Sequence, residues 1–217
     1  NLPKVELSVV SGDASFRRYF RLILDDQSWV AMDAPPEKED SSSFVAIAQG
    51  WRERGIPVPD IKALDLKKGF ILLSDMGDGL LLDRLCPESP KPEQGDRYYQ
   101  QAMAILVDIQ RLDDLAAYAL PAYDSALLQQ EMALFRHWLL ENKLGLELDD
   151  VEHALLDTSF QLLERSALDQ AQVPVHRDYH ARNLMVLEDD SLGVIDFQDA
   201  VFGPVTYDLV SLLRDCY

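Results

Sequence analysis

Residues 175–187 read Val-His-Arg-Asp-Tyr-His-Ala-Arg-Asn-Leu-Met-Val-Leu, which puts the carboxylate of Asp178 five positions before the amide of Asn183. Two apolar-biased runs follow, 184–188 and 192–196, joined by Asp189-Asp190-Ser191, so the chain goes out and returns over equal lengths. A hairpin of that form carries Asp196 back beside Asn183. A carboxylate next to an amide carbonyl is a pair of hard oxygen ligands suited to Mg²⁺. Asp178 then remains available as a general base. A different chemistry competes for the same stretch. His176, Asp178 and His180 alternate, and on a strand they would face one way as two imidazoles and a carboxylate around zinc. That reading leaves the returning hairpin unexplained, and no second His/Asp cluster completes its ligand set.

Near the N-terminus, Ser11-Gly12-Asp13-Ala14-Ser15 lies between two strand-like runs, and its small residues let backbone amides approach phosphate oxygens. The plain alternative is a hairpin turn. Arg17, Arg18 and Arg21 follow; on an extended strand Arg17 and Arg21 share a face and Arg18 points away. The run Ile71-Leu72-Leu73-Ser74-Asp75-Met76-Gly77 leaves an apolar strand, with Leu73 and Met76 as apolar walls for a ligand.

The elements that must position these residues divide into two parts. Residues 7–10, 18–24 and 29–34 form a three-strand meander, with a turn over 25–28. Phe44, Ile47, Ala48 and Trp51 recur at i, i+3, i+4, i+7 and predict a helix over 43–54. Strands over 61–66 and 70–74 flank a turn at 65–69. The Gly- and Pro-rich stretch 77–96 reads as a linker or lobe boundary. Helical stripes follow at Ala102/Ile105/Ile109/Leu112 and Leu128/Met132/Phe135/Leu139, then over 152–167 with Leu155, Leu156, Phe160 and Leu163 inward. The fold class is therefore α+β, with an N-terminal lobe over 1–76 and a mainly helical lobe with a hairpin over 77–217.

Twenty Lys+Arg against 38 Asp+Glu give a net charge of −18. So acidic a chain gains no counterion-release energy on a phosphate backbone, which argues against nucleic-acid and anionic-membrane partners. The excess is uneven: residues 1–68 carry a net −1 and residues 69–217 a net −17, a division close to the expected lobe boundary. The near-neutral part would keep Arg17, Arg18 and Arg21 near phosphates. Two cysteines, Cys86 and Cys216, make no disulfide framework and suit a reducing cytoplasm. No apolar run has the length of a membrane span. The start at Asn1 and a last helix without a capping signal lead us to expect a trimmed chain.

H-R-D-x-x-x-x-N, with Asp196-Phe197 18 residues after Asp178, resembles the catalytic loop and metal-binding Asp of protein-kinase-like phosphotransferases. Gln198 stands where D-F-G has Gly. That departure, together with Gly203-Pro204-Val205-Thr206-Tyr207-Asp208-Leu209, resembles the aminoglycoside/choline-type small-molecule kinases. Residues 11–22 and Met32-Asp33-Ala34-Pro35-Pro36 are more narrowly similar to the anomeric N-acetylmuramate/N-acetylglucosamine kinases of bacterial cell-wall recycling. The resemblance implies a two-lobed kinase-like fold, lacking here the final acceptor-side helices, and ATP with Mg²⁺ as ligands. It makes Asp178 the base, Asn183 and Asp196 the metal ligands, and Ser11–Ser15 the phosphate loop. It further implies a hinge at Ser74, Asp75 and Met76, loop support from His176, Arg182 and Asp208, and an acceptor side near Tyr179 and His180.

One departure is sharp. The phosphate-binding Lys of V-A-I-K is absent, because Met32 or Asp33 occupies its place, and no mid-helix Glu remains to pair with it. The ion pair is expected to be lost as a whole, with Arg17 or Arg18 supplying the charge and Arg17 favoured. An aminoglycoside or amino-alcohol kinase and a nucleotide-binding pseudokinase are the remaining functional alternatives.

Overall fold

β-rich segments in the first third of the chain close into one sheet. The computed structural model describes residues 6–12, 16–24, 26–85, 92–112 and 118–214. Asp13, Ala14 and Ser15 of the small-residue loop, both cysteines, and the side chains of Ser11 and Gly12 lie outside that description. β1 (Ser8–Gly12), β2 (Arg18–Leu24) and β3 (Gln27–Asp33) form the expected meander; β5 (Phe70–Ser74) adds beside β3, and β4 (Ile61–Asp65) lies outermost. All pairs are antiparallel. The β2–β3 turn is tighter than 25–28: Leu24 pairs with Gln27, and Asp26 takes a φ of 60°. Ser28 therefore belongs to β3.

α1 (Ser42–Glu53) buries the expected stripe Phe44, Ile47, Ala48 and Trp51. The β4–β5 turn depends on Gly69, at φ 76°. A Cβ there would lie 2.0 Å from the Ala34 carbonyl oxygen, and Ala34 N–H donates to the Gly69 carbonyl at 2.8 Å. Only glycine permits that approach.

The stretch 77–96 holds more structure than a linker. α2 (Leu81–Leu85) buries Leu81, and α3 (Pro92–Gln110) begins inside it. Proline at the first helical position needs no N–H, so Pro92 starts a helix where proline density had suggested a break. Of the α3 stripe, Ala102, Ile109 and Leu112 are buried. α4 (Ser125–Leu134) is capped by Asp124 and widens into a π-type helix over Phe135–Lys143; α5 (Asp150–Leu168) starts with an Asp149/Glu152 capping box. Their stripes are only partly covered. Phe135, Leu139, Leu155 and Leu163 are exposed, because a helical period marks an apolar face without saying whether another element lies on it.

β6 (Gln172–Val175) pairs with β9 (Val201–Pro204), two strands the sequence had not signalled; β7 (Leu184–Val186) and β8 (Leu192–Val194) make the expected hairpin; α6 (Tyr207–Arg214) follows. The Asp189–Ser191 turn is anchored as well as polar. Asp190 accepts from Tyr98 at 2.6 Å and pairs with Arg97, which ties the hairpin to α3. No helix among the described residues is long and apolar enough to cross a membrane.

Candidate active site

The segment 176–183 leaves β6 and is held from both sides. Asp208, wholly buried in the first turn of α6, accepts from the backbone N–H of His176 at 2.7 Å and of Arg177 at 3.0 Å. His176 is also fully buried; its Nε2 bonds to the Ile195 carbonyl at 2.9 Å, and its Nδ1 accepts from Asp178 N–H at 3.3 Å. The proton therefore sits on Nε2. Burial lowers the His176 pKa, so the ring is a neutral brace. With both nitrogens engaged, His176 is no zinc ligand, and among the described residues no three His, Cys, Asp or Glu side chains gather around a metal position. The two-imidazole site is not formed.

The hairpin brings Asn183 and Asp196 together. Asn183 Nδ2 donates to the Asp178 carbonyl at 2.9 Å and approaches Asp196 Oδ2 at 3.4 Å, and Ile195 N–H donates to the Asn183 carbonyl at 3.0 Å. Gln198 donates to Asp196 Oδ1 at 2.7 Å, a contact Gly could not make. Phe197 is completely buried and stacks on Phe44 at 5.1 Å, with Trp51 at 5.7 Å. α1 thereby anchors the residue next to Asp196. Asp196 and Arg177 take φ of 66° and 78°, the left-handed region that costs side-chain-bearing residues about 1 kcal/mol or more. An exposed carboxylate beside an amide fits a small hard cation that keeps water and phosphate oxygens as its other ligands; Asp196 and Asn183 would hold it.

A cavity of about 470 Å³ runs from this pair to the strand end after β5. Tyr19, Val30 and Leu73 of the sheet line it together with Met185, Ile195 and Ser74 through Asp78. Met76 packs on Gly193 of β8, where a Cβ would lie 2.6 Å from its Cε. Arg182 lines the wall beside Asn183. Ser74 is committed to Asp60, its N–H donating at 2.9 Å and its Oγ accepting at 2.8 Å.

Arg21 is engaged at the strand end after β5. It meets Asp75 through Nε at 2.5 Å and Nη2 at 2.9 Å, Asp78 through Nη1 at 2.7 Å, and the Gly77 carbonyl at 3.2 Å. Ser28 Oγ donates to the same Asp75 at 2.5 Å. The Asp75 carboxylate is thus taken up by protein, and only its backbone is left to meet a ligand. Burial alone would raise the Asp75 pKa, but the bonds from Arg21, Ser28 and Gly77 N–H outweigh it and hold it below the usual range. Stability from this group is present above the ordinary carboxylate pKa and is lost as pH falls below about 4. Arg21→Ala is expected to cost about 2–4 kcal/mol in urea unfolding and to flatten that acid limb, since it leaves a buried carboxylate without its counter-ion.

Other residues fall where the sequence did not put them. Tyr179 is wholly buried and its hydroxyl donates to the Ala102 carbonyl at 2.7 Å, so it is core and not a wall for an acceptor. His180 stays half-buried beside Asp178, its Nδ1 accepting from Arg182 N–H at 3.3 Å. Arg18 is exposed and pairs with its cross-strand neighbour Asp33. Arg17 is buried and ion-pairs with Glu39 at 3.4 Å, and Glu39 also accepts from Phe16 N–H at 3.2 Å. Glu39 comes from the loop before α1. No local pattern marks Glu39, Asp78 or Gln198 for these contacts, because each partner is distant in sequence or replaces an expected Gly.

Residues 6–217 match the model of the phosphotransferase enzyme family. The N-acetylmuramate/N-acetylglucosamine kinase of Pseudomonas aeruginosa is 46% identical over 216 residues, which cover 100% of this chain and 62% of that protein. The chain thus spans less than two thirds of that relative's length. Among solved structures, Plasmodium vivax ethanolamine kinase superposes with a TM-score of 0.66 at 14% identity, over 97% of this chain and 60% of the other. An aminoglycoside phosphotransferase in ternary complex with AMP-PNP and hygromycin B gives 0.61 at 15%, over 97% and 72%. These two share the protein-kinase-like fold. The sheet, the returning hairpin and a family match that runs from residue 6 to residue 217 have one reading: this chain belongs to the phosphotransferase enzyme family.

Proposed function

We propose that the protein is an ATP-dependent sugar kinase that transfers the γ-phosphoryl group to the anomeric hydroxyl of N-acetylmuramate or N-acetylglucosamine, in the cytoplasm, as a step of cell-wall recycling. The observation that carries phosphoryl transfer is the pairing of Asn183 with Asp196 at one end of an apolar cavity, with Asn183 Nδ2 also bonded to the backbone carbonyl of Asp178. The choice of acceptor is supported by the 46% identical relative and its name. In this reading residues 1–76 are the nucleotide lobe and 77–217 the catalytic lobe. The backbone near Ser74, Asp75 and Met76 reads the base edge, while Ser11–Ser15 approach the phosphates.

Asp178 accepts the proton of the acceptor hydroxyl. The freed oxygen forms its bond to the γ-phosphorus in line as the bond to the bridging oxygen of ADP breaks. Asn183 and Asp196 would hold Mg²⁺, which would supply positive charge to offset that on the phosphate oxygens. His176 and Asp208 keep the loop in shape, Arg182 lies toward the transferred group, and His180 is on the acceptor side.

Arg17 supplies the missing cation. What supports it over Arg18 is its burial just before β2, where Arg18 is exposed, and its ion pair with Glu39. Arg17→Glu is expected to raise the nucleotide KM about tenfold to a hundredfold, the worth of a charge-assisted bond, with Arg18→Glu changing it less than about threefold. Equal effects would overturn the assignment. The function itself is tested by ATP consumption in the full-length protein against N-acetylmuramate, N-acetylglucosamine, kanamycin and choline, with phosphorus NMR of the product to locate the ester. Turnover confined to kanamycin or choline makes it another small-molecule kinase. Nucleotide binding without turnover on any acceptor makes it a binding module.

A further inference from the structure

Tyr123, Glu131 and Tyr207 take no part in the mechanism above, yet they form a connected set that reaches the catalytic loop at Arg177. Arg177 Nη2 donates to Glu131 Oε1 at 2.5 Å, and the Tyr123 hydroxyl donates to Glu131 Oε2. The Tyr123 ring stands edge-on to Tyr207, with centroids 5.4 Å apart at 87°, and its backbone N–H donates to the Phe202 carbonyl at 2.8 Å. Gly203 is the seat of this ring: a Cβ there would lie 2.9 Å from the Tyr123 Cβ. The stretch 203–208 therefore does two things. Asp208 holds the backbone of the catalytic loop, and Gly203 with Tyr207 holds Tyr123 against Glu131.

Such a clamp matters because of where Arg177 sits. Its φ of 78° is one that a long side chain resists, and the next residue is Asp178. Asp208 fixes the N–H groups of residues 176 and 177, and His176 and Asn183 hold the backbone of residue 178, so every one of these ties comes from the loop itself, the hairpin or α6. The Arg177 guanidinium adds a tie to α4. Burial alone would lower the Arg177 pKa, but the bond to Glu131 more than reverses this, so the charge that makes the clamp is kept. Burial, and then the bond to Glu131, raise the Tyr123 pKa, so its hydroxyl stays a donor.

We propose that Glu131 is a positioning residue for Asp178: locked by Tyr123 on its Gly203 and Tyr207 seat, it clamps Arg177 in the left-handed turn that aims the Asp178 carboxylate. The proposal rests on the reading of Asp178 as the base. In the full-length protein, Glu131→Ala is expected to lower kcat about tenfold to a hundredfold with the nucleotide KM within about twofold, because misplaced groups lose rate before they lose binding. Tyr123→Phe, which removes one oxygen and is the milder variant for folding, is expected to lower kcat about threefold to tenfold. Glu131→Ala combined with Arg177→Ala should be no slower than Arg177→Ala alone, since both act through one contact. Amide exchange gives a second readout, with faster exchange at 177–180 in Glu131→Ala and no change over 184–194. A kcat within twofold of the parent, additive effects in the pair, or uniformly faster exchange would overturn the clamp. If the parent protein transfers phosphate to no acceptor, the kinase reading fails on its own, and the exchange pattern still decides whether Glu131 holds the loop.

Discussion

Asp178→Asn is expected to lower kcat by about a thousandfold, within the range a positioned general base contributes, while nucleotide affinity stays within about twofold. The substitution is close to isosteric. The contacts that hold residue 178 are made by its backbone, N–H to His176 Nδ1 and carbonyl from Asn183 Nδ2, so the loop keeps its shape. What is removed is an exposed carboxylate, the proton acceptor of the proposed mechanism. Steady-state kinetics on the full-length protein, with nucleotide binding by calorimetry, separates the two effects. A variant retaining a tenth or more of the parent kcat would remove Asp178 from the role of base.

Asp208→Ala carries the largest expected loss of stability. It strips two buried backbone N–H groups, those of His176 and Arg177, of their acceptor at once. Each such group costs about 1–3 kcal/mol, so a loss of about 2–6 kcal/mol is expected in chemical unfolding, together with most of the activity. Asp208→Asn keeps one acceptor oxygen and should fall between. The pH dependence has a definite sign. Burial raises the Asp208 pKa to about 6 against the lowering effect of its two N–H partners, so the folded state binds a proton that the unfolded state has released. Its stabilising contribution is fully present below about pH 4 and is lost as pH rises through about 6, by up to about 3 kcal/mol. Asp75 acts in the opposite direction below about pH 4, so Asp208→Asn and Arg21→Ala should each flatten a different limb of the stability profile.

Much of this site is legible in the chain because its parts are local. Asp178 and Asn183 lie within one loop, and the equal runs on either side of Asp189-Asp190-Ser191 force Asp196 back toward Asn183 through backbone pairing alone. The α1 stripe is legible for the same reason: a period of 3.6 puts Phe44, Ile47, Ala48 and Trp51 on one face whatever surrounds it. The five-stranded sheet follows from strand runs and turns, and Asp208 could be singled out from the motif around it. Gly203 and Tyr207 were visible in that motif too, without any sign of what they hold.

What stayed hidden depends on partners brought together from far along the chain. Arg17, Arg18 and Arg21 look alike as a cluster of cations. The sheet sends one to Glu39, one to Asp33 and one to Asp75 and Asp78, and so gives them three different jobs. Tyr179 is a polar-tipped ring between Asp178 and His180 in sequence, yet α3 covers it and accepts its hydroxyl. Residue types and short-range spacing determined which oxygen-bearing side chains share one loop and which hairpin joins them, because those are constraints of covalent reach. Only the tertiary structure decided which carboxylate each cation meets, and that α4 reaches Arg177 through Glu131, because ion pairing and burial are settled by distance in space.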